Sequence, residues 1–386
     1  MLIITFICAF VLAGASPPEV LSLAEANNYF AVNLLKSIPT QAGNVFVSPL
    51  SVSIAMAMLH HGARGVSQEE LAQALGYKAA GLQDRGAVLS AMGGVLRAFG
   101  HREEDVTLNV ANSVLLQRGH PALPEYKKDI EVVFQALFDE VDFTNHSQLA
   151  RINDWVSNQT RGKINDFLTE LSPNAVMVIL NAVYFKGTWE TQFNKTLTKK
   201  TAFYNHGVTK TVVDMMRQAG AFRFSSSTEL NSDIVELPYK GHQLSMIILL
   251  PRVPNGLPAV LEALDAHSLQ NALDGLISWK VDVKLPKFKL ESGYSLVEYM
   301  KKLGAESIFD ESKADLTGIS PGLVVSEVMH KAVVEVNEEG SEASGATMVS
   351  VTRSAVMTFK VNHPFLFFIR DVGTNMILFM GVVNKL

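Results

Sequence analysis

One cysteine, Cys8, stands in 386 residues, so no intramolecular disulfide can close, and no Cys/His set has the spacing of a structural zinc site. Packing and hydrogen bonding alone must hold the fold. A dominant charge is also missing. Thirty-three Lys plus Arg against 38 Asp plus Glu leave −5, which provides no global cationic field for a nucleic-acid backbone or an anionic membrane and leaves only local basic patches open. No Pro/Gly/Ser linker, low-complexity tract or internal repeat divides the chain, and its leading apolar run is too short to span a bilayer. What it has is core material. The 48% hydrophobic and 18% charged content excludes a disordered or collagen-like chain, and the length suffices for a large core.

Residues 2–15 are apolar and close on Ala13 and Ala15 in an A-x-A pattern before Ser16, and Pro17 and Pro18 then stop any helix. This predicts a secretory signal peptide over 1–15, followed by a single domain over 16–386 that is cysteine-free in an oxidising, extracellular compartment. Three N-x-Ser/Thr sequons, at Asn145, Asn158 and Asn194, fit that export as glycosylation acceptors.

Helical spacing of apolar residues predicts helices over Ser22–Leu35, from Pro49 through Met58, from Ser67 to about Leu75 and from Asp84 to Ala98. Ser67 with Glu70 three residues on has the form of a capping box. A further helical patch is expected around Leu149–Asn158. Strands are expected at Thr107–Leu116, Ala175–Phe185, Ala221–Phe224, Ile234–Leu237, Leu244–Leu250, Val281–Phe288, Val324–Val336, Phe365–Arg370 and Ile377–Val383. The mostly apolar run through Val178, Leu180, Ala182 and Tyr184 marks a strand covered on both faces. Mixed order of this kind predicts an α+β fold with large sheets.

No active-site signature is present. The chain has no G-x-S-x-G elbow, H-E-x-x-H pair, P-loop or G-x-G-x-x-G. His60 and His61 are adjacent, so on a helix they diverge by about 100° and make a poor joint metal site. No enzyme activity, metal or cofactor is expected.

The informative stretch runs from Val333 to Met357. It begins and ends as β-branched strand, with residues 338–347 between them small, acidic and turn-prone. From Ser341, alternate residues Ser341, Ala343, Gly345, Thr347, Val349 and Val351 are small or β-branched, while Glu342, Ser344, Ala346, Met348, Ser350 and Thr352 tolerate exposure. A period of two is what a strand with one inward face requires, yet Gly340 and Gly345 weaken it as a permanent strand.

Four motifs, in order along the chain, carry a resemblance. They are Asn44-Val-Phe-Val-Ser48-Pro49-Leu-Ser51; Asn181 followed by Phe185-Lys186-Gly187-Thr-Trp189; the hinge Glu338-Glu339-Gly340-Ser341-Glu342-Ala343-Ser344-Gly345-Ala346-Thr347; and Phe359-Lys-Val-Asn362-His-Pro364-Phe365-Leu-Phe-Phe-Ile369. Over essentially its whole length the chain resembles the serpins. The resemblance implies about nine helices around three β-sheets, with an exposed reactive-centre loop over about 338–358 that a protease cleaves and that then inserts into the main sheet. Small residues at Ser341, Ala343, Ser344, Gly345 and Ala346 favour an inhibitor, although Ser344 and Gly345 stand where inhibitors often carry alanine.

By the same resemblance, Ser48, Ser51, Asn181 and His330 match the polar shutter beneath the main sheet, and Trp189 matches the breach aromatic at its top. The resemblance implies a scissile residue about seventeen residues from the first hinge glutamate, which from Glu338 reaches Ser354, and one fewer selects Arg353. Arg353–Ser354 is favoured as the reactive bond, with Ser354–Ala355 the alternative, because a trypsin-like pocket holds a buried acid suited to arginine. The expected partners are trypsin-like proteases (trypsin, plasmin, thrombin or other clotting proteases), each held in a covalent 1:1 complex by a monomeric inhibitor. The leader, the cysteine-free mature chain and the loop text resemble secreted tick salivary serpins, which implies suppression of host coagulation, inflammation or immunity. Three alternatives stay open: an endogenous haemolymph protease regulator, a non-inhibitory carrier or chaperone, and glycosaminoglycan-dependent inhibition through the sparse basic residues Lys78, Arg85, Arg97 and Arg102.

Overall fold

The computed structural model describes residues 16–41, 43–82, 84–100, 106–339 and 356–386. The expected signal peptide, the hinge from Gly340 to Thr347, both candidate reactive bonds (Arg353, Ser354, Ala355) and Arg102 lie outside the described residues. In chain order the elements are α1 (Pro18–Ser37), β1 (Val45–Val47), α2 (Pro49–Gly62), α3 (Gly65–Ala74), α4 (Arg85–Gly100), β2 (Val106–Gln117), α5 (Pro124–Val132), β3 (Leu137–Val141), α6 (Ser147–Gln159), β4 (Met177–Gly187), β5 (Lys199–Asn205), β6 (Thr209–Ser227), β7 (Ser232–Pro238), β8 (Leu244–Pro251), α7 (Leu257–Ala263), α8 (Ala266–Asp274), β9 (Ile277–Pro286), β10 (Phe288–Ser295), α9 (Val297–Lys302), β11 (Glu327–Val336), β12 (Met357–Lys360), β13 (Phe365–Asp371) and β14 (Ile377–Val383).

Five strands form one sheet in the order β10-β11-β4-β2-β3. The other nine form one hydrogen-bonded path that divides at the long β6. Residues 223–227 of β6 pair with β7, leading through β8, β13 and β14 to β1, while its earlier residues pair with β5 and β9, the latter carrying β12. Among the described residues, nine helices and three strand groups match the expected α+β architecture.

β4 shows why its sequence is almost wholly apolar. Met177, Ile179, Val183 and Phe185 point into the main core, shared with α1 and α2. Val178, Leu180, Ala182 and Tyr184 point the other way, into a second core with Ile152 and Val156 of α6. The strand is covered on both faces, as a continuous apolar run requires. Asn181 interrupts the run on the α2 side.

Three local expectations are corrected. The capping box at Ser67 and Glu70 does not form, because α3 already starts at Gly65 with Arg64 as its uncapped N-cap. Both side chains serve a distant loop instead. Ser67 Oγ lies 2.9 Å from Ser307 Oγ and accepts from the Asp315 amide, and the Glu70 carboxylate accepts from the amides of Glu306 and Ser307. The strand expected over Val281–Phe288 is two strands in different sheets. β9 ends at Pro286, which has no N–H to extend a ladder, and Lys287 donates its amide to the Asp214 carbonyl as the chain crosses to β10. The short strand expected at Ala221–Phe224 is the end of the 19-residue β6, whose outward positions carry Thr, Lys and Arg and so hide it from an apolar-run criterion.

Candidate functional site at the seam between β4 and β11

β4 and β11 lie side by side in parallel, registered from Glu327 opposite Val178 to Val334 opposite Phe185. At mid-seam His330 stands opposite Asn181, and both are buried. Ser48 N–H donates to His330 Nε2 at 3.1 Å, so the imidazole proton sits on Nδ1 and donates to Asn181 Oδ1 at 2.5 Å. The Asn181 amide in turn donates to Ser51 Oγ, to the Ser51 carbonyl at 3.2 Å and to Asn112 Oδ1 at 2.5 Å.

Ser48 and Ser51 reach this point because Ser48 caps α2. Its Oγ accepts from the Ser51 amide while donating to the Leu378 carbonyl of β14, and Pro49 supplies the fixed φ that a first helical residue needs. Burial lowers the His330 pKa to about 3, so the ring is a neutral donor–acceptor link. Its neighbours Ser48, Ser51, Asn112 and Asn181 carry no charge. The four sequence-predicted shutter residues are thus brought together. Asn112, opposite Asn181 on β2, was not anticipated, and only its register could have revealed it.

The C-terminal end of the seam is tied separately. Trp189, just beyond β4, is buried, stacks on Tyr239 at a centroid distance of 4.6 Å and donates its indole N–H to the Asn337 carbonyl at 2.9 Å, immediately after β11. Glu338 follows, only 5% exposed, and accepts from Thr198 Oγ1 at 2.7 Å and Lys287 Nζ at 2.8 Å. Burial pushes its pKa up, but Lys287 and Thr198 outweigh that and hold the carboxyl below its usual range. The exposed Glu339 is likewise held down, first by its hydrogen bond from Lys195 and then by Lys186. The first two residues of the expected hinge are therefore anchored where β11 ends. Replacing Lys287→Met removes one of Glu338's two partners from a buried carboxylate and should lower stability by about 1–3 kcal/mol, read as a shift of the urea midpoint. An unchanged midpoint would show that Glu338 does not depend on Lys287.

Elsewhere, Asn145, Asn158 and Asn194 are all exposed. Asn145 and Asn194 sit in turns where Oδ1 accepts from the amide two residues on. Asn158 lies in the last turn of α6, where Thr160 of its sequon is buried with its hydroxyl on the Val156 carbonyl. His60 and His61 diverge. His60 packs edge-on against Tyr77, whereas His61 faces Asp129 at 2.8 Å. Among the described residues no cluster of three His, Cys, Asp or Glu could hold a metal, and no helix is long and apolar enough to cross a membrane. Of the basic residues near α4, Arg85 turns inward and donates to the His61 carbonyl.

The model of the family Serpin (serine protease inhibitor) matches residues 25–386. Iripin-8 of the tick Ixodes ricinus is 42% identical over 378 residues, covering 94% of each chain. Intracellular coagulation inhibitor 1 of Tachypleus tridentatus is 40% identical over 374 residues, covering 94% of this chain and 89% of its own. Among solved structures, native protease nexin-1 with heparin superposes with a TM-score of 0.86 at 30% identity, over 95% of this chain and 99% of that one. With a family model matched to its last residue and relatives at 40% identity or more along nearly their full lengths, the chain belongs to the serpin family.

Proposed function

We propose that the protein is a secreted suicide-substrate inhibitor of trypsin-like serine proteases, with Arg353–Ser354 as its bait bond. The observation that carries this reading is the direct parallel pairing of β4 with β11. The segment bearing Arg353 leaves from the end of β11. If it turns back along the seam it runs antiparallel to β11 and, because β4 is parallel to β11, antiparallel to β4 as well. One parallel interface would then become two antiparallel ones, and antiparallel pairing is the more stable per residue. About fifteen inserted residues gain net hydrogen bonds of ~0.5–1.5 kcal/mol each, less their ordering entropy.

Opening the seam requires the His330–Asn181 hydrogen bond to break, and its groups can re-bond to the new strand because all are neutral. The leading residues Ser341, Ala343, Ser344, Gly345 and Ala346 are small enough to pass between parting strands. In the chemical step the protease serine hydroxyl adds to the Arg353 carbonyl. The Arg353–Ser354 amide bond breaks, the Ser354 amine leaves with the proton, and an ester joins Arg353 to the protease. Insertion carries that ester away from the protease's attacking water. The Tachypleus relative, a coagulation inhibitor by name, supports a target among coagulation proteases, met in a host or in the animal's own body fluid.

Incubation with trypsin should yield a 1:1 complex that survives denaturing electrophoresis and a released C-terminal peptide that begins at Ser354 by mass spectrometry. Cleavage without a complex would instead make the chain a non-inhibitory serpin. A peptide beginning at Ala355 would move the bait to Ser354.

A further inference from the structure

A row of cations crosses three adjacent strands. Arg217 on β6 stands directly opposite Lys284 on β9, and Lys284 directly opposite Lys360 on β12. Their chain neighbours Gln218, Val283 and Phe359 are buried, so by the two-residue period Arg217, Lys284 and Lys360 share the outer face. With strands about 4.8 Å apart, three positive charges fall along about 10 Å.

Like charges directly opposite one another weaken a sheet. The carboxylate that answers them is Asp282, in the next row, with Oδ1 2.8 Å from Arg217 Nε and Oδ2 3.4 Å from Lys284 Nζ. Lys360 has no carboxylate partner among the described residues. One carboxylate therefore answers two of the three cations and leaves Lys360 unanswered. Ala219 and Ala221 of β6, opposite Asp282 and Lys280, keep the surface beside the row free of bulk. Packing does not need this arrangement, since Arg217 is half exposed and Lys284 nearly a third.

Its position gives it a use. β12 is the first strand after the segment that carries Arg353, and Lys360 ends it only seven residues on from that arginine. A protease engaged on the bait bond must lie over the chain where it enters β12. We propose that Arg217, Lys284 and Lys360 form an exosite for an acidic patch on the target protease, one that raises the rate of encounter. This rests on the inhibitory reading above. A protease patch fits better than a sulfated polysaccharide, which calls for a long cationic track, whereas this row is three residues wide with Asp282 set beside it.

The test measures association rate constants for thrombin, plasmin and trypsin at low and physiological ionic strength, with wild type, Lys360→Gln and Lys360→Glu. For the protease that wild type inhibits fastest, Lys360→Glu should lower the low-salt rate about tenfold and flatten its salt dependence. Lys360→Gln should fall between, with stoichiometry of inhibition and thermal midpoint unchanged in both. Equal rates for all three proteins at low salt would overturn the exosite while leaving the inhibitory reading intact. Equal protease rates combined with loss of heparin-column retention in Lys360→Glu would overturn it in favour of a sulfated polysaccharide. Failure of wild type to trap any of the three proteases would remove the inhibitory reading and the exosite with it.

Discussion

Arg353→Ala should lower the rate of complex formation with trypsin by about 10³–10⁴-fold, because a pocket built around a buried carboxylate is left with an unpaired charge when the guanidinium is absent. The change is one of recognition. The hydrogen bonds of the seam are made by Ser48, Ser51, Asn112, Asn181 and His330, all left in place by the substitution, so the urea midpoint should match wild type, as should the gain in thermal stability after cutting elsewhere in the loop. A protease with a shallow apolar pocket that accepts small residues should be inhibited better by the variant than by wild type. Rate constants for trypsin and an elastase, measured side by side, give the check. Retention of full trypsin inhibition would place the bait outside Arg353. A fall against both proteases together with a lowered midpoint would mean that the substitution had damaged the fold.

Acid is the second large lever. His330 has its pKa lowered by burial from the ordinary histidine value to about 3, so it stays neutral in the native protein where the unfolded chain already binds a proton. Between pH 6.5 and about 3 the unfolded state holds more protons, and stability falls as pH falls through that window. From pH 6.5 to 5 the loss from this one group is about 2 kcal/mol. His60, lowered to about 4 by burial and by His61 and Arg85, adds a loss of the same sign. His330→Gln should be less stable than wild type at neutral pH by about 1–3 kcal/mol, since the Ser48 amide and Asn181 lose a fitted partner. It should also be less sensitive to acid, by the 2 kcal/mol that His330 contributed. Urea midpoints at pH 7 and pH 5 for both proteins decide the matter, and an identical acid loss in each would show that His330 does not set this dependence.

Much of the fold was legible because strands and helices advertise themselves when one face is apolar. β4, β8, β13 and β14 are apolar on both faces, and α1, α2 and α4 repeat at helical spacing. The polar residues of the seam were legible only through motifs. Nothing local distinguishes Asn181 from any other asparagine, and it acquires its place from a register that sets it between Asn112 and His330.

The anchors of Glu338 show the limit most clearly. Thr198 and Lys287 lie 140 and 51 positions away and read as ordinary surface residues until folding brings them to the end of β11. The same holds for Ser67 and Glu70, whose spacing satisfied a local rule while their hydrogen bonds went to a loop more than 230 residues downstream. Tertiary demand overrode the local preference there.

β14 has a bearing on how such a molecule comes into being. Its carbonyls accept from Asn27 of α1, 350 residues earlier, and from Ser48 at the head of α2, and its backbone pairs with β1. On a ribosome these N-terminal elements emerge long before the strand that completes them, and must wait with apolar faces uncovered while most of the protein is made. Contacts of such separation make folding slow. β14 therefore closes the hydrogen bonds of β1, and the N-terminal half cannot complete its fold before that strand is made.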